Sequence, residues 1–101
     1  LIHPSVLDKL PQIKAVLRKN GVRKAYLFGS VCTDKFTDKS DIDIVVSFHE
    51  GTDPLTLGDL WWDIYFSLED LLKRPIDLLT DKSLQNPYLK NEIEKTKQDI
   101  L

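Results

Sequence analysis

Leu27-Phe28-Gly29-Ser30, followed ten residues later by Ser40-Asp41-Ile42-Asp43-Ile44-Val45-Val46, decides how this chain folds. The second part is rich in β-branched residues and reads as a strand. On a strand, alternate side chains share a face, so Asp41 and Asp43 point one way and Ile42 and Ile44 the other. Two strand rises put the two aspartate Cα atoms roughly 6.5–7 Å apart, within joint reach of a divalent cation. Gly29-Ser30 supplies a turn where backbone can approach a phosphate, with a hydroxyl beside it. A phosphate-holding turn next to paired carboxylates is the minimum equipment for phosphoryl or nucleotidyl transfer.

Working outward, Val22 to Phe28 reads as a short strand that ends at Gly29. Upstream, Leu7, Leu10, Ile13, Val16 and Leu17 form one helical stripe between Ser5 and Asn20, and Asn20-Gly21 supplies the stop. Pro11 either sits in the first turn of a shorter helix or kinks a longer one. Residues 30–39 read as a short helix or structured loop, and residues 49–54 as a loop. Leu57, Leu60, Trp61, Ile64, Leu68, Leu71 and Leu72 define a second amphipathic helix that Pro75 ends. Ile76 to Leu79 is a brief third strand. Asn86-Pro87 opens a last helix that carries Leu89, Ile93 and Ile100 inward, with Lys90 to Asp99 mostly solvated.

The expected fold is therefore α/β, with one small mixed sheet of three to four strands flanked by helices. The connection between the first two strands is short. If Gly29 and Asp41 build one site, those strands run antiparallel. The next connection holds a helix long enough for a crossover to a parallel strand. That topology brings Asp77, at the start of the third strand, beside Asp41 and Asp43. Three converging carboxylates repel one another unless cations sit between them, and two divalent ions resolve the repulsion. Oxygen-only ligands favour Mg²⁺, with Mn²⁺ as a substitute. Asp41 and Asp43 suit ligands that bridge both metals. Asp77 suits the nucleophile side, where it can also accept a proton.

Composition bounds the rest. A chain of 101 residues with 42% apolar content fits one domain, residues 1–101, with one core. One cysteine, Cys32, excludes an internal disulfide framework and a Cys-based zinc site, and points to a reducing cytoplasm. No apolar run nears the ~20 residues of a membrane span, and no signal-peptide pattern is present. Net charge is −2, with basic and acidic residues interspersed, which argues against a long nucleic acid as direct partner. A homo-oligomer stays open.

The Gly-Ser turn, the Asp-x-Asp strand and Arg74-Pro75-Ile76-Asp77-Leu78-Leu79 together resemble the DNA polymerase beta-type nucleotidyltransferases, and in particular their minimal nucleotidyltransferase branch. The resemblance spans nearly the whole chain. It implies a nucleoside triphosphate, ATP with Mg²⁺, as substrate, and contacts from Gly29 and Ser30 to the triphosphate. It also implies metal ligation by Asp41, Asp43 and Asp77. It further implies an antitoxin that pairs with a helical HEPN-type toxin and, in some members, transfers AMP onto a toxin tyrosine. One departure is visible. Cys32-Thr33-Asp34 stands where the family often has Ala-Arg-Gly, so a fork-shaped phosphate donor is replaced by Thr33. Lys35 is then the nearby cation for nucleotide binding, as a flexible point charge.

The remaining residues have plainer roles. Ser30 has no histidine beside it and does not read as a nucleophile. His3 and His49 read as solvated, and Cys32 as a small packing residue. Trp61 reads as core, whereas Trp62 and Tyr65, at the edge of the stripe, fit a partner interface or a nucleotide pocket wall. Two other functions stay open: a non-catalytic antitoxin that masks its partner by contact, and a transferase acting on a small hydroxylated molecule.

Overall fold

The Asp-x-Asp stretch leads into β2 (Ile42–Phe48), a central strand with a partner on each side. A computed structural model describes all residues, Leu1–Leu101. β1 (Val22–Phe28) pairs antiparallel with β2, and β3 (Ile76–Thr80) pairs parallel with it. A two-residue strand, β4 (Gln98–Asp99), covers the outer edge of β1 in antiparallel sense. The sheet order is β3-β2-β1-β4. Four helices complete the chain: α1 (Pro4–Leu7), α2 (Leu10–Lys19), α3 (Pro54–Leu72) and α4 (Pro87–Thr96). Short 3-10 turns follow β1, at Gly29–Cys32, and β3, at Asp81–Ser83.

Strand alternation assigns the two faces of the sheet. Ala25, Leu27, Ile42, Ile44, Val46, Ile76 and Leu78 meet Ile13 and Leu17 of α2 and Ile64 and Leu68 of α3 in the main core. Phe28 and Val45 look the other way and meet Ile93 of α4, with Tyr26, Leu79, Leu84 and Leu89 packed around them. Asp43 shares a face with Val45, so it lies on the α4 side of the sheet. The larger, better-filled core behind it holds β2 and β3 in place, and each fully buried Leu, Ile or Val contributes about 1.5–3 kcal/mol.

The structure differs from expectation at three element ends. The N-terminal helix is two pieces, because Pro11 takes the first turn of a new helix that starts at Leu10. α3 starts at Pro54 rather than Leu57, since the Asp53 carboxylate accepts from the Thr56 N–H and Pro54 fits the first turn. The last helix stops at Thr96. Ile100 is buried through β4, where its N–H donates to the Ala25 carbonyl at 3.0 Å, and not through a helical stripe. The charged run Lys97–Asp99 is thus partly an edge strand. No helix is long and apolar enough to cross a membrane.

Candidate active site

Gly29 ends β1 in a left-handed conformation, φ +75°, which turns the chain sharply into the Gly29–Cys32 turn. The turn brings its backbone against β2. A Cβ built on Gly29 would stand 2.5 Å from Asp43 Oδ2, so only glycine leaves room for that carboxylate. The Gly29 N–H donates to Thr96 Oγ1 at 2.8 Å, and the Thr96 hydroxyl donates in turn to the Glu92 carbonyl at 2.9 Å. The last residue of α4 therefore fixes the Gly-Ser turn from 67 residues away.

Asp43 is the centre of the site. It pairs in register with Phe28 on one side and with Asp77 on the other. Parallel register puts Asp43 and Asp77 on the same face, with strand axes about 4.8 Å apart. Asp43 is half-buried and Asp77 is exposed. Burial, the Asp77 charge and the Asp41 charge, with a hydrogen bond shared with Asp77, push the Asp43 carboxyl up from 3.8 to about 6. Asp41 lies just before β2, exposed, close enough to act on Asp43 by its charge. No three Asp, Glu, His or Cys side chains close on one point. The geometry is an Asp43–Asp77 pair with Asp41 two residues before Asp43, just outside β2. This all-oxygen, like-charged donor set suits a hard divalent cation.

The other candidates fall around this pair. Ser30 is half-buried, and its carbonyl accepts from both the N–H and the hydroxyl of Thr33, at 3.0 and 2.9 Å. Thr33 is thus spent on closing the turn. Lys35 is exposed and makes neither of the chain's two ion pairs, Lys73–Asp70 and Lys97–Glu94. Cys32 packs against the main core, where burial pushes its thiol up. His49 is exposed. His3 is more than solvated. Its Nδ1 accepts from the Ser5 N–H at 3.2 Å, capping α1, and its ring lies 5.0 Å from that of Phe36.

Arg74 contributes a contact that spacing alone did not reveal. Its guanidinium lies over the Phe36 ring at 4.4 Å and donates to the carbonyls of Thr37 and Ser40, each at 3.0 Å. The Ile42 N–H donates to the Pro75 carbonyl at 3.0 Å. The residues just before β3 thereby staple the loop that delivers Asp41 and Asp43.

Residues 11–101 match the family described as Polymerase beta, Nucleotidyltransferase. The chain belongs to that family. This nucleotidyltransferase is 38% identical over 97 residues to "Putative protein adenylyltransferase MJ1379" of Methanocaldococcus jannaschii, covering 88% of this chain and 95% of the relative. Among solved structures it resembles a toxin–antitoxin bound to AMP-PNP, with TM-score 0.71 and 24% identity, covering 91% of this chain and 72% of the other. It also resembles a complex of a tri-AMPylated Shewanella oneidensis HEPN toxin with an MNT antitoxin. There the TM-score is 0.65 and the identity 23%, over 94% of this chain and 71% of the other. At such identities these two structures attest the fold, a mixed sheet with flanking helices.

Proposed function

We propose that this nucleotidyltransferase moves AMP from ATP onto a hydroxyl of a partner protein, and that the partner is a HEPN-type toxin which it restrains as an antitoxin. The reading is supported most by the in-register Asp43–Asp77 pair set against the Gly29-Ser30 turn. Asp43 and Asp77 would hold Mg²⁺, with Asp41 joining them when its side chain turns in from the margin of the site. When bound, the metal supplies charge neutralisation for the triphosphate and acidifies the attacking hydroxyl.

The chain's own residues account for the rest. Gly29, lacking a side chain, lets the triphosphate approach the backbone, and Ser30 offers its hydroxyl beside it. Lys35 adds positive charge from the same loop. Asp77, the more exposed member of the pair, would take the proton of the acceptor hydroxyl. The hydroxyl oxygen then bonds to the α-phosphorus as the bond to pyrophosphate breaks.

Labelled ATP, Mg²⁺ and the purified HEPN-type partner test this directly. Label on the partner, lost with Asp43→Asn, is the expected result. Partner that stays unlabelled at any Mg²⁺ or Mn²⁺ concentration would overturn it. One observation favours a second reading. Thr33 fills the place of the family arginine and is used up within the turn. A contact-only antitoxin predicts that Asp43→Asn still silences the toxin in cells.

A further inference from the structure

α3 has two faces with different chemistry. Ile64 and Leu68 enter the main core. Leu55, Trp62 and Phe66 share the opposite stripe by helical spacing and are 83%, 52% and 58% exposed. The exposed rings are ordered among themselves. Trp62 stacks on Phe66 at 5.4 Å, Trp61 stacks on Tyr65 at 5.4 Å, and Trp61 meets Trp62 edge-on at 4.8 Å. Trp61 also lines a cavity of about 320 Å³ with Phe48, Leu57 and Gly58, and its wall carries His49, Asp81 and Lys82 as well. A pocket beside rigid exposed aromatics is the usual make-up of an interface hot spot.

Charge selects the occupant. α3 carries Asp59, Asp63, Glu69 and Asp70 and no Lys, Arg or His. Only Asp70 has a cation within ion-pair distance, Lys73. Two copies of this face set together would oppose four carboxylates with four, which disfavours self-association through it. A complementary surface has an apolar anchor for the cavity and a rim of Lys and Arg. The face also lies behind the sheet, away from Asp43 and Asp77 on the α4 side. An occupant there leaves the carboxylate pair open.

We propose that the Leu55–Trp62–Phe66 face of α3, with the adjoining cavity, docks a partner protein through an apolar anchor ringed by basic residues. With the partner taken as the HEPN-type toxin, the inference rests on the reading above. It adds that the toxin chain held behind the sheet leaves the active face free for the acceptor hydroxyl of a second toxin copy.

The test is the affinity of the full chain for the purified HEPN-type partner, at low and high salt. Trp62→Ser with Phe66→Ser is expected to weaken binding about 30-fold or more. Gly58→Leu adds bulk at the cavity wall. A Cβ there meets nothing within 4 Å, an unchanged melting temperature checks the fold, and binding should fall about tenfold for a lost anchor contact. Asp59→Lys with Asp63→Lys should weaken binding at low salt and abolish its salt dependence. Wild-type binding that none of these variants changes overturns the docking face and leaves the toxin reading standing. No binding by the wild-type chain overturns both. A dimer in solution that Trp62→Ser with Phe66→Ser splits assigns the face to a second copy and overturns the proposal.

Discussion

Asp43 on β2 and Asp77 on β3 are register partners across the parallel pair, and their carboxyls share the α4 face of the sheet. Without a cation, two carboxylates so placed hold a proton between them, and the more buried one, Asp43, titrates at about 6. The folded chain therefore binds more protons than the unfolded chain between pH 4 and 6. Stability in metal-free buffer is highest, as far as this group goes, below the unfolded value of 3.8, and falls as pH rises through about 6. The rise corresponds to about 3 kcal/mol before solvent screening, and screening at a half-buried site reduces that to about 1–2 kcal/mol. Asp43→Asn should remove this slope and stabilise the metal-free protein at pH 7. Urea denaturation with chelator across pH 4–8 measures both.

Gly29→Ala places a methyl group against Asp43 Oδ2 at a left-handed φ. The backbone cost is about 1–2 kcal/mol. Relief requires the Asp43 carboxylate to turn away from Gly29, which takes it out of its position beside Asp77. Mg²⁺ should raise the melting temperature of the wild-type chain and leave that of Gly29→Ala nearly unchanged. A thermal melt with and without Mg²⁺ reads this out.

Much of this arrangement was legible in residue order. The alternation of Ile42, Ile44 and Val46 with Asp43 and Val45 fixes the strand and its faces. The length of the chain between β2 and β3 requires a crossover, and the crossover delivers Asp77 to Asp43. What was hidden rests on contacts between distant residues. β4 is two residues long and has no periodicity to detect. Thr96 reads as one more polar residue at a helix end until α4 is laid against Gly29. Arg74 stands in a quotable motif, yet its hydrogen bonds to Thr37 and Ser40 depend on how the loop folds back. Asp41 is the reverse case, since its strand spacing promised a full partner to Asp43. The strand begins only at Ile42, and Asp41 stays at the margin.

Lys73 ends α3 at φ 55° and ψ 39°, a left-handed conformation that disfavours a side chain. Its ion pair with Asp70 is exposed and holds little stability. Lys73→Gly should therefore stabilise the fold by about 1 kcal/mol, as glycine does at a helix C-terminus. The midpoint of urea unfolding should rise with no change in slope.

Arg74→Lys keeps a positive charge but loses the planar guanidinium that lies over Phe36 and thereby aims one Nη1 at both the Thr37 and Ser40 carbonyls. The loop before Asp41 should loosen, with a cost of about 1–2 kcal/mol. Divalent-cation affinity should fall several-fold with the fold intact. Amide exchange in residues 36–41, followed alongside a Mn²⁺ titration, should show faster exchange and weaker binding together.

Thr96 separates a structural hydrogen bond from mere packing. Its hydroxyl accepts from the N–H of Gly29, a buried residue. Thr96→Val keeps the shape and leaves that donor unsatisfied, at a cost of about 1–3 kcal/mol. Thr96→Ser keeps the acceptor and should lose well under half as much. The strained Gly29 turn would be the first part to relax in the valine variant, since α4 no longer fixes it. Transfer activity should then fall further than stability does, and serine should restore both. A loss in the serine variant with little or none in valine would mean that α4 secures the turn by packing of its methyl group instead.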